Sequence, residues 1–442
     1  MLRRTAPAAA RMKHRVHWIG FSHWLLHNEW LVLAVLAVPM LFPSPAAAPL
    51  MLIIPGLWAL RRWRDGAFIP ATSLNLQLLL LTLMLLVSLW ATFSIAFSLP
   101  KISGLVFGFA VYFATVQVCV QRPNGLGLAL TAFMLFGTAV AFVGLIGTDW
   151  ADKTHLLARV GSMLPRLIRG LPGAEHGIHP NELAGTLVLF SPLTVLVSAA
   201  GFRRKGIAGL LAGAGWTLAA AIMLTVLLLT QSRTGILGLV GGSTLALLAF
   251  GGWKSRLLIL GGIGVIVGAI ERLLPDLASS ILNTPGLGQD LVGGVAFETR
   301  FEIWIRAIYA IQDFSFTGMG LGTFREVAPI LYPFFLIPPD RDVAHAHSAL
   351  LQAGLDVGIP GLIAYLAIWL GAFALLLALR NKQEPRALAF GLSPGALAFG
   401  LAGGLAAHFL FGLVDAVALG ARPGFLWWMA LGLVSGLHRL SR

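Results

Sequence analysis

The sequence predicts an all-α polytopic membrane protein of about twelve transmembrane helices with helical outer loops. Three observations predict it. Of 442 residues, 57% are hydrophobic and only 11% are charged, whereas soluble domains carry roughly 25% charged residues. Apolar runs long enough to cross about 30 Å of hydrocarbon recur from end to end. The runs are continuous rather than alternating, which argues against a β-barrel, and in lipid a helix satisfies its own backbone.

The expected spans are 28–44, 46–60, 74–98, 102–120, 126–147, 181–201, 206–230, 233–252, 257–273, 348–379, 387–414 and 424–438. The second and last are short enough to be tilted or partly interfacial. The tenth carries Gly358, Ile359 and Pro360, so a kink is expected there. Residues 1–27 form a basic tail with no signal-peptide core following closely, and read as cytoplasmic.

Charge placement sets the orientation. With the N-terminus inside, the inner connections hold Arg61, Arg62, Arg64, Arg122, Arg203, Arg204, Lys205, Lys254, Arg256, Arg380, Lys382 and Arg386. The short outer ones hold only Lys101, Arg233 and Arg422. That asymmetry puts both termini in the cytoplasm. It also explains most of the +13 net charge without a nucleic-acid partner. The single Cys119 excludes a disulfide framework and a cysteine-based metal site.

Two long connections, 148–180 and 274–347, fall on the outer side. Helical spacing of His155, Leu156, Arg159, Arg166 and Arg169 suggests short interfacial helices in the first, and 297–311 reads as an amphipathic helix in the second. The whole chain, 1–442, reads as one membrane-embedded domain. Long structured loops of this kind more often carry function than merely connect.

Cations on this outer side depart from the positive-inside bias. Gln-Ser-Arg-Thr-Gly at 231–235 puts Arg233 at a helix start behind Ser232, a good N-cap. Free N–H groups and a guanidinium fork there suit an anion; the plainer reading is an interfacial anchor. In the run 297–306, Arg306 follows Glu302 at i+4, the spacing of a surface salt bridge. Arg300 has only Glu298 nearby, at a spacing that shares no helix face, and so reads as the freer cation. The glycines at 317–323 suit tight turning better than a phosphate cradle, since no βαβ context exists.

Residues 340–352 read Asp-Arg-Asp-Val-Ala-His-Ala-His-Ser-Ala-Leu-Leu-Gln. Asp340 and Asp342 could hold a divalent metal with His345 and His347, or be a solvated loop. His345 and His347 share a face only in extended chain. A helix beginning near His347 would put that residue on its first turn, where the positive helix end disfavours imidazolium and leaves a general base; a cap or packing role fits as well. His176, His179, Pro180 and Asn181 cluster where the first outer loop enters a span. His408 suits a hydrogen bond to a neighbouring helix, and Asp415 with Arg422 suits a local ion pair.

Gln-Ser-Arg-Thr-Gly, then Arg-Phe-Glu-Ile-Trp, Gly-Met-Gly-Leu-Gly-Thr-Phe, His-Ser-Ala-Leu-Leu-Gln and Gly-Ile-Pro-Gly-Leu, spread over about 231–362, resemble the signature run of the O-antigen ligase and polymerase family. The resemblance implies a metal-independent, cofactor-free, inverting glycosyltransferase. It would move a glycan from undecaprenyl diphosphate to an acceptor at the periplasmic face of a bacterial inner membrane. For a ligase the acceptor is lipid A–core oligosaccharide. By motif position, His347 matches the family's essential His, and Arg233 and Arg300 its essential Arg residues. Arg306, His345, Arg166, Arg169 and Asn181 complete the expected substrate-binding set. The family usually has Asn where this chain has Ser348. A polymerase joining lipid-linked units shares these motifs, and a transporter or flippase for a lipid-linked anion would also want outer cations. The near-absence of charge inside the spans favours a one-sided enzyme site over transport.

Overall fold

The computed structural model describes residues 20, 22–44, 46–150, 155–170, 177–273, 294–339, 341–382 and 388–442. Side chains are described outside 155, 156, 158, 263 and 265–297. Among the described residues the chain is helical, its only β contacts being isolated bridges at Thr148–Ile178 and Ala389–Leu392. The helices are α1 (Glu29–Leu41), α2 (Ile53–Asp65), α3 (Asn75–Ala91), α4 (Ile95–Gln121), α5 (Gly125–Gly147), α6 (His155–Met163), α7 (Pro180–Leu187) and α8 (Ser191–Phe202). They continue with α9 (Ile207–Leu229), α10 (Arg233–Phe250), α11 (Trp253–Leu273), α12 (Gly294–Asp313), α13 (Phe324–Leu331), α14 (Ala349–Ala378), α15 (Pro394–Val414) and α16 (Gly424–Leu440).

Six of these are long and apolar enough to cross a membrane: α4, α5, α9, α10, α14 and α15. The pair α7–α8, bent by 44°, makes up to seven. About twelve spans are expected from the sequence; by length and composition the described residues show six, or seven with the bent pair. The reasons are local. Span 46–60 opens as a 3-10 turn at Ala48–Leu52 before α2. Span 74–98 stops at Ala91, where Thr92 turns extended, and α4 starts afresh at Ile95. Span 181–201 breaks between Leu187 and Ser191, just before Pro192. Helices α1 and α3 are apolar but shorter, and α16, of 17 residues, carries His438 and Arg439 in its last turn. The protein is a multi-pass membrane protein, and Val35, Trp90, Leu237, Leu258, Ile363 and Leu370 face outward as lipid-contacting side chains would.

Small residues set the closest helix pairs, since without a hydrophobic drive helices in lipid associate by backbone approach. On α10, a side chain at Gly242 would meet the Ala407 backbone 2.2 Å away, and one at Gly238 the Ala407 carbonyl at 2.8 Å and the Phe411 nitrogen at 3.3 Å. Helices α10 and α15 therefore pack in antiparallel register. Helix α16 also packs closely on α4, but in parallel, with Trp428 against Gly108, Gly432 against Thr115 and Gly436 against Cys119.

The expected kink in α14 is present at Gly358, whose φ is 71°. Its hydrogen-bond consequences are resolved one by one. Pro360 offers no N–H to the Asp356 carbonyl, which accepts the Ser88 hydroxyl instead. The Ile359 N–H turns to the Ser315 carbonyl, and the Leu355 carbonyl it leaves accepts the Met319 N–H at 2.7 Å. Gly318, Gly320 and Gly322 all have positive φ, so the glycine run is a tight turn that docks on the kink.

Candidate functional site

One end of the bundle gathers the start of α7, the C-terminus of α15, the approach to α14 and the side of α12. Asp415 caps α15 and is 2% exposed. Its Oδ2 accepts the Asn181 amide at 2.8 Å and lies 3.3 Å from Arg300 Nη2. Its Oδ1 lies 3.3 Å from His347 Nδ1 and accepts the Ala416 N–H at 2.9 Å. Asp415 thus joins three of the residues read from sequence: Asn181, Arg300 and His347. Burial alone would raise its pKa, but the hydrogen bond from His347 and the charges of His347, His345 and Arg300 outweigh that and hold the carboxyl below its ordinary range.

The local conformation explains how His347 gets there. Helix α14 begins at Ala349, and the Ser348 hydroxyl caps it by accepting the Leu351 N–H at 3.4 Å. Capping is work that Asn also does, so Ser348 does the work expected of the Asn that the resemblance implies there. His347 precedes the cap rather than lying on the first turn, in a left-handed conformation with φ 46°. That turn, not an extended chain, brings the rings of His345 and His347 to 4.5 Å. The His347 N–H donates to His345 Nδ1 at 3.1 Å, and the His347 carbonyl accepts from Trp304 Nε1 at 3.3 Å. With Nδ1 accepting, a neutral His345 carries its proton on Nε2. Burial and the neighbouring His347 push the His345 pKa down to about 3 against the pull of Asp415.

Arg233 is the first residue of α10, behind the Ser232 hydroxyl, which accepts the Gly235 N–H at 3.3 Å. It is exposed. Gly238 lies beside Phe411 and Gly242 beside Ala407, so stepping back along the antiparallel pair puts Arg233 level with the Asp415–Ala416 turn. Gly235 also packs on Ala184, one turn on from Asn181 in the helix that Pro180 opens.

Other expectations resolve differently. Arg300 is not the freer cation, since Asp415 holds it. Asp415 does not pair with Arg422, whose Nε donates to the Leu41 carbonyl and whose guanidinium lies over Phe42. Arg306 does face Glu302, at 3.9 Å, and stacks over Phe335, while Glu302 also accepts the Phe335 and Leu336 N–H groups. Arg166 and Arg169 pair with Asp149 at 3.5 and 3.7 Å. Asp342 forms a two-pronged pair with Arg325, while Asp340 and His176 lie outside the described residues. His408 does bond a neighbouring helix, at 2.7 Å from the Gly185 carbonyl.

His345, His347 and Asp415 present ligand atoms within 4.8 Å of one another, a spacing that could hold a metal ion. Both Asp415 oxygens, however, already serve Asn181, Arg300, His347 and Ala416. The donor set fits an organised hydrogen-bond centre better than a cation cage.

Two apolar cavities, of about 390 and 400 Å³, share Phe136 and Phe425 as walls. The second reaches down to Trp30 and Leu128; the first opens between Arg422 and Glu182, the residue after Asn181. Neither cavity is lined by Asp415, His347, Arg300 or Asn181; the first comes nearest in sequence, through Glu182.

No curated protein matches the chain. The family model described as O-Antigen ligase matches residues 218–366, about a third of the chain. The matched stretch holds Arg233, Arg300 and His347, while Asp415 and Asn181 reach the same centre from outside it. Residues 218–366 of this multi-pass helical membrane protein are thus similar to the O-antigen ligase family.

Proposed function

We propose that this protein is an O-antigen ligase, transferring a glycan from undecaprenyl diphosphate to a sugar hydroxyl of lipid A–core oligosaccharide. The observation that carries the reading is the meeting of His347, Arg300 and Asn181 on the buried Asp415 carboxylate. With Asp415 accepting from Nδ1–H, the Nε2 lone pair of His347 is the proton acceptor. The acceptor hydroxyl loses its proton to that nitrogen as its oxygen bonds the anomeric carbon. The bond from that carbon to the diphosphate oxygen breaks, with inversion. Arg300 and Arg233 stabilise the negative charge that collects on the departing diphosphate. The neutral Nε2–H of His345 is a further donor toward substrate oxygens, and the apolar cavities on either side of Phe136 and Phe425 suit a lipid chain.

The reaction centre belongs on the periplasmic face of the inner membrane, with both termini cytoplasmic and the loops 148–180 and 274–347 outside. Arg306, Arg166 and Arg169 extend the cationic surface available to the glycan. No metal enters this scheme.

Reconstitution in vesicles tests the acceptor. Lipid-linked glycan is supplied with either lipid A–core or a second lipid-linked repeat unit. Growth of lipid A–core supports the ligase; growth of the second carrier alone would make the protein a polymerase.

A further inference from the structure

Beneath the two histidines lies a run of buried polar groups that the chemistry above does not use. Gln352 is 2% exposed and Asp356 is 0% exposed, both on α14. The Ala346 N–H, between the histidines, donates to Gln352 Oε1 at 2.9 Å. Gln352 Nε2 donates to Asp356 Oδ1 at 2.8 Å, and that oxygen also accepts the Gly322 N–H at 3.0 Å. Asp356 Oδ2 has no partner among the described residues.

The direction of these bonds is informative. A glutamine amide can point either end at a backbone N–H, and only its oxygen accepts. Asp356 decides which end, because an oxygen at 2.8 Å demands the NH₂ group. The carboxylate therefore aims Gln352 Oε1 at Ala346. This matters because His347 occupies a left-handed conformation that a non-glycine residue holds only when its surroundings impose it. Three backbone contacts impose it: Ala346 N–H on Gln352, His347 N–H on His345, and the His347 carbonyl on Trp304. The first is wholly buried and stands on the kink, where the glycine turn delivers Gly322 and Ser88 takes the Asp356 carbonyl.

We propose that Gln352 and Asp356 are positioning residues, an amide–carboxylate relay that locks the left-handed turn at His347 and so holds both imidazoles toward Asp415. The inference rests on His347 being the base. It does not make Asp356 a proton carrier, since the relay requires only an acceptor at Oδ1.

Three variants test it in vesicles with lipid-linked glycan and lipid A–core. Asp356→Asn keeps an acceptor oxygen and a planar shape, and turnover is expected to stay within about twofold of wild type. Asp356→Leu removes the acceptor, and kcat is expected to fall by roughly 100-fold, the scale of a misplaced catalytic group, with KM for the donor little changed. Each single change also leaves buried polar atoms unpaired and lowers thermal stability. The double variant Gln352→Met/Asp356→Leu removes the pair but strands the Ala346 and Gly322 N–H groups, so melting temperature and kcat are both expected to stay as low as in Asp356→Leu. Recovery of kcat in the double variant while melting temperature stays low would overturn the positioning role and leave only a structural one. Loss of turnover in Asp356→Asn would overturn it in favour of a need for the carboxylate's charge or proton. His347→Ala, run alongside, separates the two levels: an active His347→Ala enzyme would sink the catalytic reading, whereas an inactive one leaves the relay to be judged by its own variants.

Discussion

Asp415 Oδ1 lies 3.3 Å from His347 Nδ1, joining residues 68 positions apart at the ends of two different helices. The same carboxylate takes Arg300 and Asn181 on its other oxygen. One buried acid thus holds both the imidazole proposed as the base and a guanidinium proposed to stabilise the leaving group.

Replacing Asp415 with Asn keeps its size but loses both the charge facing Arg300 and the control of which His347 nitrogen is protonated. Transfer by the Asp415→Asn variant is expected to drop by about 10³–10⁴-fold, the scale for a misdirected catalytic imidazole. Initial rates with detergent-solubilised enzyme measure this, and activity within tenfold of wild type would mean that the contact is incidental.

Lysine should not replace Arg233 or Arg300. A planar fork binds two phosphate oxygens at once, and an ammonium does not. Arg233→Lys and Arg300→Lys are each expected to lose roughly 100-fold in transfer. Full activity of Arg233→Lys would reduce that residue to an interfacial anchor.

Acid should destabilise the site through His345. Its pKa falls from an ordinary 6.5 to about 3 on folding, so the unfolded chain binds the extra proton between those values. The folded state loses stability as pH drops below about 6.5, and the loss stops growing near 3. By pH 4 it amounts to on the order of 2 kcal/mol, discounted for the partial exposure of the ring. His345→Gln is expected to flatten the melting temperature across that window, and an unchanged slope would disprove the assignment.

Chelation provides a fourth check. Transfer by the purified enzyme is expected to survive EDTA unchanged. Inhibition that Mg²⁺ or Mn²⁺ reverses would turn His345, His347 and Asp415 into metal ligands.

Much of this was legible in the sequence because its signals are local. The glycine turn, the kink at Gly358, the cap at Ser232 and the placement of Arg233 at a helix start all depend on residues within one turn. What escaped depends on contacts between distant segments. Asp415 has only Arg422 within reach along the chain, so sequence distance suggested a pairing that the fold replaces with Arg300 and His347. Gln352 and Asp356 look like polar interruptions of an apolar run until the glycine turn is seen to deliver an N–H to them. Span boundaries were not legible where apolar composition continues through a break, as at Thr92 and between α7 and α8.

The most direct measurement follows donor binding and glycan transfer separately in His347→Ala, using vesicles that carry a polyprenyl-diphosphate glycan and lipid A–core. The expected result is donor affinity close to wild type with transfer reduced by about 10²–10⁴-fold, the span of lost general-base catalysis. Transfer near the wild-type rate would contradict the assignment of His347 as the base, and with it the reading of the centre built on Asp415.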